Sequence, residues 1–246
     1  MTKEIRVDEK ITMRLLEESE AQVLYELIDK NRNFFRRFLP WVDNTISVEH
    51  SLEKIRKDIS GFDSGESLEL GIFFNAKLIG RCGFISKMKH DSAEIGYLLD
   101  DQFTRLGIMT QCVKALTEYG INTLKKHRIV IKMNTMNVKS RSIPERLNYI
   151  YEGTERESSL DTEGNWRNTE VWSFIAGDDF SNPKIRACCP VCKSARIGDS
   201  SIYRNNGVIG PGYHSHKETD QRTCLDCGVN FTPTLKNGFL QPKKYE

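Results

Sequence analysis

The first 176 residues alternate between two spacings of apolar side chains. Short segments that are apolar at every second position, or β-branched throughout, predict strands near Ile11, Leu68, Leu78, Ala93, His127, Tyr151 and Thr169. Apolar positions three or four apart predict helices that begin near Ser19, Ser47, Ile108 and Ser142. Tight turns join several of the strands, whereas helices separate the others. This order predicts an α+β fold with a mixed, mostly antiparallel sheet flanked by helices.

The strand Ala93–Leu99 leads through a short turn into the longest predicted helix. Ile108, Cys112 and Leu116 form an apolar stripe at helical spacing, so the turn before them should present several backbone N–H groups without helical partners. Such a helix start is suited to binding an anion. After the helix, the β-branched run 127–133 is predicted to lie parallel to Ala93–Leu99, because a helical crossover joins the two.

A second passage from strand to helix runs from Asn137 to Gly153 and carries polar side chains at its mouth. Ser142 and Glu145 have the spacing of a capping box, which predicts that the helix begins there; Ser19 and Gln22 predict the same for the first helix.

Together these two stretches resemble the GNAT superfamily of acyl-CoA N-acyltransferases, and most closely its branch of ribosomal-protein serine/alanine N-acetyltransferases. Gly107 matches the first glycine of the family's pyrophosphate loop, and a later family motif is matched by Asn137, Ser140, Ile143, Glu145, Leu147, Tyr149, Glu152 and Gly153. The resemblance covers about residues 8 to 176. It implies transfer of an acetyl group from acetyl-CoA to a primary amine, either a protein N-terminal α-amino group or a small amine.

The resemblance also implies which residues hold acetyl-CoA. The backbone N–H groups of Leu106, Gly107, Ile108 and Met109 would bind the pyrophosphate, with help from Thr104, Arg105 and Thr110. The strand edge formed by Tyr97, Leu98 and Leu99 would pair with the pantetheine arm, and Asn137 would bond to it as well. On local grounds alone, an ordinary helix start that binds nothing remains an alternative for 104–110.

Three further residues are predicted to take part in the chemistry or in acceptor binding. By resemblance, Ser140 protonates the departing thiolate, although a turn hydroxyl bonded to nearby backbone has the same local pattern. Glu94 is the predicted general base, acting directly or through water, and a strand carboxylate in a structural hydrogen bond is its alternative. Trp41, in an aromatic stretch that ends at Leu-Pro-Trp, is the predicted acceptor-site residue; burial in the core is the alternative.

Several positions depart from the family pattern. Thr104, Arg105 and Leu106 differ from the usual head of the loop, Pro144 stands where many relatives carry a catalytic tyrosine, and Asn148 replaces a glycine. These departures leave a second hypothesis open, in which the chain is a non-catalytic adaptor that binds nucleic acid or protein.

Composition and charge divide the chain near residue 181. Of the total charge of +2, residues 182–246 carry +5, from ten basic and five acidic side chains, so residues 1–181 carry −3. The sequence contains no apolar run near the ~20 residues that a membrane-spanning helix needs, and the N-terminus has no apolar signal segment. The sequence therefore predicts a cytoplasmic protein with no membrane partner.

The basic segment contains two C-x-x-C pairs separated by 31 residues, which together predict one zinc site held by Cys189, Cys192, Cys224 and Cys227. His214 and His216 lie between the pairs, so a mixed site remains an alternative, as do reduced core cysteines. We expect a GNAT-like acetyltransferase domain at 1–176, a linker at 177–186 and a small zinc-ribbon-like domain at 187–246. Basic and aromatic side chains in that last domain predict RNA or ribosome contact, with a solvated basic surface as the alternative.

Overall fold

A computed structural model describes residues 1–85 and 91–180 in full, the backbone of 86 and 87, and the backbone of five short strands between 197 and 242. The strands of the first part are β1 (Glu4–Arg6), β2 (Ile11–Arg14), β3 (Leu68–Phe74), β4 (Lys77–Lys87), β5 (Ser92–Leu99), β6 (Arg128–Asn134), β7 (Ile150–Leu160) and β8 (Trp166–Ile175). Its α-helices are α1 (Ala21–Lys30), α2 (Arg32–Phe35), α3 (Val48–Ser64), α4 (Ile108–Asn122) and α5 (Val138–Arg146). Short 3-10 helices cover Glu18–Glu20, Pro40–Asn44 and Asp101–Phe103.

The eight strands form one sheet in the order β1-β2-β3-β4-β5-β6-β8-β7. The β5–β6 pair is parallel, and every other neighbouring pair is antiparallel. The predicted α+β class and the parallel crossover between β5 and β6 are therefore confirmed. The swapped order of β7 and β8 places β8 beside β6 and leaves β7 at the edge.

Helices cover both faces of the sheet, because alternate strand residues are apolar on each side. On one face Ile95, Leu99 and Ile131 pack in a cluster with Cys112 and Leu116 of α4. On the other face a second cluster joins side chains of β3, β4 and β5 to α1 and α3; its members include Phe73, Leu78, Leu98, Leu24, Leu27 and Ile55. Strand β5 thus contributes side chains to both clusters, through Ile95 and Leu99 on one face and Leu98 on the other.

Two of the four predicted helix starts, those of α1 and α5, are wrong by a few residues. A capping box forms between Glu17 and Glu20, so the chain enters α1 through a 3-10 turn rather than from Ser19. Helix α5 begins at Val138 and not at Ser142, because the Asn137 side chain accepts the Ser140 N–H at 3.1 Å. Ser142 and Glu145 consequently lie inside α5.

The chain divides into two compact units, Met1–Phe180 and Ser181–Glu246. Asp178 and Phe180, which lie in the predicted linker, belong to the first unit: Asp178 accepts the Ile175 N–H at 3.0 Å, and the Phe180 ring stacks on Phe174 at 4.4 Å. Among the described residues of the whole chain, no helix is both long and apolar enough to span a membrane.

The described backbone of the second unit is antiparallel throughout. Strand β9 (Ile197–Asp199) pairs with β10 (Arg222–Cys224), which pairs with β11 (Asn230–Phe231); β12 (Pro233–Lys236) pairs with β13 (Phe239–Pro242). Of the predicted zinc ligands, Cys189, Cys192 and Cys227 lie outside the described residues, and Cys224 is described only by its backbone at the end of β10.

Candidate active site

Strand β5 leaves its parallel neighbour after three paired positions, the last of which joins Glu94 to Val130. A cavity of about 610 Å³ lies beside the part of β5 that has left β6. Eleven of the residues predicted from sequence line it: Tyr97, Leu98, Leu99, Thr104, Arg105, Gly107, Ile108, Met109, Thr110, Asn137 and Ser140. The fold thus brings the predicted strand edge, loop and second helix to one site.

The loop before α4 has the backbone conformation of an anion site. Arg105 and Gly107 have φ of +66° and +77°, and Gly107 is the N-cap of the 15-residue helix. The N–H groups in the first turn of α4 have no acceptor within the helix, and the helix dipole adds partial positive charge there. Leu106 lies within this loop but does not line the cavity; its side chain is 61% exposed.

Sequence reasoning missed Arg146, which lies at the end of α5 and lines the same cavity. Its guanidinium donates to the Thr110 hydroxyl from Nη2 at 3.1 Å and from Nε at 3.3 Å. Within the described residues, neither Arg105 nor Arg146 forms an ion pair. The helical spacing of Lys139, Ser142 and Arg146 was the available signal, because it places all three on one face of α5. Arg105, Arg146 and the start of α4 therefore line the same cavity.

Ser140 and Tyr97 form the hydroxyl pair of the cavity. The Tyr97 Oη lies 2.8 Å from Ser140 Oγ and 3.2 Å from the Ser140 carbonyl oxygen. Asn137 Oδ1 accepts the Ser140 N–H, which leaves the amide hydrogens of Asn137 available to other acceptors. Burial raises the pKa of Tyr97 far above its usual value, while the bond to Ser140 acts in the opposite direction. Tyr97 is therefore a neutral phenol at physiological pH.

Pro144 lies inside α5 and has no N–H to give to the Ser140 carbonyl. In a regular helix that carbonyl would accept from position 144. The Tyr97 hydroxyl lies at the carbonyl instead, so a residue of β5 replaces the missing helical donor.

Glu94 does not line this cavity. Side chains alternate along β5, so Glu94 and Tyr97 lie on opposite faces of the sheet. The pKa of Glu94 is raised, because the effect of burial exceeds the opposing effect of the nearby Lys132 ammonium. Glu94 lies on the same face of the sheet as Lys132 and Asn134 of β6. It pairs with Val130, which is four residues before Asn134, so about 13 Å along the strand separates Glu94 from Asn134.

Trp41 is also outside the cavity, in the 3-10 helix Pro40–Asn44 with its side chain 40% exposed. Earlier members of the same aromatic stretch line the cavity instead, namely Phe34, Phe35 and Phe38. Phe34 also stacks against the Lys139 ammonium at 4.5 Å from the ring centroid. The stretch therefore reaches the site through α2 and the turn after it.

A second cavity of about 500 Å³ shares Arg37, Phe38 and Met136 with the first. Its remaining lining comes from β6, from α2 and the turn after it, and from the tip of the β7–β8 hairpin, which contributes Asp161, Thr162, Glu163 and Arg167. Asn134 lines this second cavity, on the sheet face that carries Glu94. The two cavities thus meet at the Phe38 and Met136 side chains.

A buried ion pair holds α5 against the sheet. Glu170 of β8 is fully buried, and its carboxylate accepts the Arg141 Nε–H at 3.0 Å and the Trp172 Nε1–H at 3.1 Å. Arg141 Nη2 lies 2.8 Å from the other Glu170 oxygen and donates to the Thr135 carbonyl at 2.6 Å. Because Arg141 follows Ser140 directly, these contacts fix the segment of α5 that carries Ser140.

Comparison with known proteins agrees with this geometry. The family model described as acetyltransferase (GNAT) domain matches residues 10–150. YdaF of Bacillus subtilis (strain 168) is 33% identical over 157 residues, which are 62% of this chain and 84% of YdaF.

Two solved structures also have this fold. RimL, a ribosomal L7/L12 α-N-protein acetyltransferase in complex with coenzyme A, superimposes with a TM-score of 0.68 at 25% identity over 72% of this chain and 99% of its own. The microcin C7 self-immunity acetyltransferase MccE, in complex with acetyl-CoA and AMP, gives 0.67 at 25% identity over 71% and 97%.

Proposed function

This chain belongs to the GNAT acetyltransferase family, and on that premise we propose that it transfers an acetyl group from acetyl-CoA to the α-amino group of a protein N-terminus. The observation that carries the proposal is the cavity beside β5, which is lined by a helix start, by Arg105 and Arg146, and by a hydroxyl pair. RimL, which has the same fold over nearly its whole length, is a protein α-N-acetyltransferase.

The proposed donor site fits the chemistry of acetyl-CoA. The first turn of α4, with Thr104, Arg105 and Thr110 beside it, supplies N–H groups and positive charge for the pyrophosphate; Arg146 adds a second guanidinium. The edge of β5 at Tyr97, Leu98 and Leu99 supplies backbone groups for the amides of the pantetheine arm, and Asn137 supplies its amide hydrogens. Acetyl-CoA brings the activated thioester.

The chain's own residues would then manage two protons. The attacking amine must be uncharged, and the departing thiolate must receive a proton. Ser140 is the proposed hydrogen donor, because its hydroxyl lies in the cavity beside the β5 edge. Glu94 is the proposed base, and it lies on the sheet face whose residue Asn134 lines the second cavity. Because Glu94 is separated from Asn134 along the sheet, water would carry the proton from the amine to Glu94.

The second cavity is the proposed path for the acceptor. It meets the first at Phe38 and Met136, so an amine that enters there reaches the hydroxyl pair without crossing the phosphate end. Phe34 and Phe38 take the role predicted for the aromatic stretch, and Trp41, at the end of the stretch, is proposed to contact more distant parts of the acceptor protein. An α-amino group suits a site without a strong base, because about a tenth of it is uncharged at pH 7, against less than a thousandth of a lysine side chain.

Acetyl transfer to peptides tests the proposal. Two peptides of the same composition would be compared by mass spectrometry: one with a free N-terminus and no lysine, and one with a blocked N-terminus and a single lysine. We expect acetylation of the first peptide with acetyl-CoA, little of the second, and loss of about a hundredfold in rate with Ser140→Ala. Absence of transfer to either peptide and to small amines would contradict the proposal and favour a binding protein without turnover.

For the second unit we propose one zinc ion held by the two C-x-x-C pairs. The support is the spacing of the pairs and the antiparallel backbone of β9, β10 and β11, in which β10 ends at Cys224. Metal analysis of the purified protein tests it: we expect one zinc per chain, and its loss in the Cys189→Ser, Cys192→Ser double variant. The same content in wild type and variant would contradict the site.

The net charge of +5 on residues 182–246 supports a further proposal, that this unit contacts RNA on the ribosome. Ribosome binding that is unchanged when Lys193, Arg196 and Arg204 are replaced by glutamine would contradict it. A protein that works there would be located in the cytoplasm, which fractionation of cells tests.

A further inference from the structure

Two hydroxyl groups 43 positions apart in sequence meet in the cavity. Tyr97 comes from β5 and Ser140 from the first half of α5, and their oxygens lie 2.8 Å apart. Either hydroxyl can be the donor on distance alone, so the surrounding contacts decide the direction.

The backbone of Ser140 is held on both sides. Its N–H donates to Asn137 Oδ1 at 3.1 Å, and its carbonyl, deprived of a helical donor by Pro144, lies 3.2 Å from Tyr97 Oη. Tyr97 Oη therefore lies beside two oxygens of one residue, Oγ at 2.8 Å and the carbonyl oxygen at 3.2 Å. The carbonyl oxygen can only accept, so the single phenolic hydrogen points toward Ser140, where Oγ is the nearer oxygen. Burial keeps this hydrogen on Tyr97 by raising the pKa of the phenol.

We propose that Tyr97 is a positioning residue for acetyl transfer: its phenolic hydroxyl donates to Ser140, so that the hydroxyl hydrogen of Ser140 is directed into the cavity toward the thioester sulfur. This inference rests on the proposed function. It assigns to the Tyr97 side chain a role separate from that of the β5 backbone edge, and it explains how a helix interrupted by Pro144 keeps its serine in one orientation.

Tyr97 serves one step, in which an amide bond forms and a thioester bond breaks. The bond between the amine nitrogen and the acetyl carbon forms, and the carbon–sulfur bond breaks with its electron pair on sulfur. Sulfur takes the proton of Ser140, and solvent returns a proton to Ser140, while Tyr97 keeps its own proton throughout. The proton that the nitrogen loses leaves through the base, so one proton is taken up and one is released.

A double-mutant cycle tests whether Tyr97 acts through Ser140. We expect Ser140→Ala to lower kcat about a hundredfold, the lower end of the range for a general acid, and Tyr97→Phe to lower it about tenfold, because it acts only through Ser140. The Kd for acetyl-CoA should change less than about twofold in both variants. The double variant should be no slower than Ser140→Ala, because a positioning residue has nothing left to position.

Tyr149→Phe is the matched control. Tyr149 is also a buried tyrosine, with its hydroxyl 2.6 Å from Thr117 Oγ1, but it does not line the cavity. Its variant should lower the thermal midpoint and leave kcat within about twofold of wild type. If Tyr97→Phe does not fold, the cycle is measured in a Pro144→Ala background, where the regained helix hydrogen bond supports α5.

The outcomes separate this inference from the proposed function. Full kcat in Tyr97→Phe, or losses that multiply in the double variant, would overturn the inference while transfer by the wild type upholds the function. A wild type that transfers no acetyl group to any amine would overturn both.

Discussion

The Nη2 of Arg146 donates to the Thr110 hydroxyl at 3.1 Å, which ties the end of α5 to the first turn of α4. The two sequence motifs that suggested the family therefore touch through one guanidinium. Because Arg146 has no carboxylate partner among the described residues, its charge is available to a phosphate group that binds in the cavity.

Removing this charge should weaken the donor site. We expect Arg146→Gln to raise the Kd for acetyl-CoA about tenfold, the loss of one charge-assisted contact, and to reduce the dependence of binding on salt. Calorimetry at two salt concentrations measures both. Arg56→Gln is the control, because Arg56 pairs with Glu18 and does not line the cavity. Equal affinity in Arg146→Gln and wild type would show that the phosphates lie elsewhere.

The buried pair of Arg141 and Glu170 predicts a stability effect. Glu170→Ala should cost roughly 3 kcal/mol, because it leaves the Arg141 charge buried without its partner, and should lower Tm by roughly 6–12 °C. Glu155→Ala, which breaks the exposed pair with Lys132, should cost less than about 1 kcal/mol. Thermal unfolding compares the two variants. Similar midpoints for both would mean that Arg141 finds another partner or reaches water.

The tip of the β7–β8 hairpin should be sensitive to acid. The Asp161 carboxylate accepts the Asn165 N–H at 2.8 Å, the Arg167 Nε–H at 2.8 Å and the Glu163 N–H at 2.9 Å, which lowers its pKa to about 2. The ordinary value is about 3.9, so its contribution to the tip is complete above about pH 4 and is lost as the pH falls toward 2. Carbon-detected NMR of the carboxyl group measures the midpoint, and a value near 3.9 would contradict these bonds.

The same tip lines the proposed acceptor path, so Asp161→Ala has a kinetic prediction of its own. We expect a several-fold higher KM for the acceptor peptide and an unchanged Kd for acetyl-CoA, because the tip does not line the donor cavity. Asp63→Ala, on α3, serves as the control. A change in acetyl-CoA affinity with no change in acceptor KM would show that the second cavity is not the acceptor path.

Local patterns in the sequence were enough to predict the strands β2 to β8 and the crossover through α4. They were not enough for β1, since Glu4–Arg6 is short and largely exposed and is a strand only because it pairs with β2. They also misplaced the start of α5: Ser142 has the capping spacing, but Asn137 lies at the actual end of the preceding turn and takes the Ser140 N–H first.

The cavity is lined by eleven of the predicted site residues but not by Leu106, Glu94 or Trp41, and it is also lined by residues that only tertiary contacts select. Arg146 faces the cavity because α5 lies against α4, and Phe34 and Phe38 reach it because α2 turns the aromatic stretch toward β5. The contact between Tyr97 and Ser140 spans 43 positions and depends on a missing N–H at Pro144. No spacing rule in a single sequence gives such a contact.

Calorimetric titration with acetyl-CoA tests most directly whether the start of α4 holds the acyl donor. Gly107 and Gly65 are matched positions: their φ angles are +77° and +74°, and a side chain at either meets open space, but only Gly107 lies in the cavity. We expect wild type and Gly65→Glu to bind with micromolar affinity, about −8 kcal/mol, and Gly107→Glu to show no measurable binding, because its carboxylate repels the pyrophosphate. Wild-type protein that does not bind, or Gly107→Glu that binds as well as Gly65→Glu, would contradict the assignment.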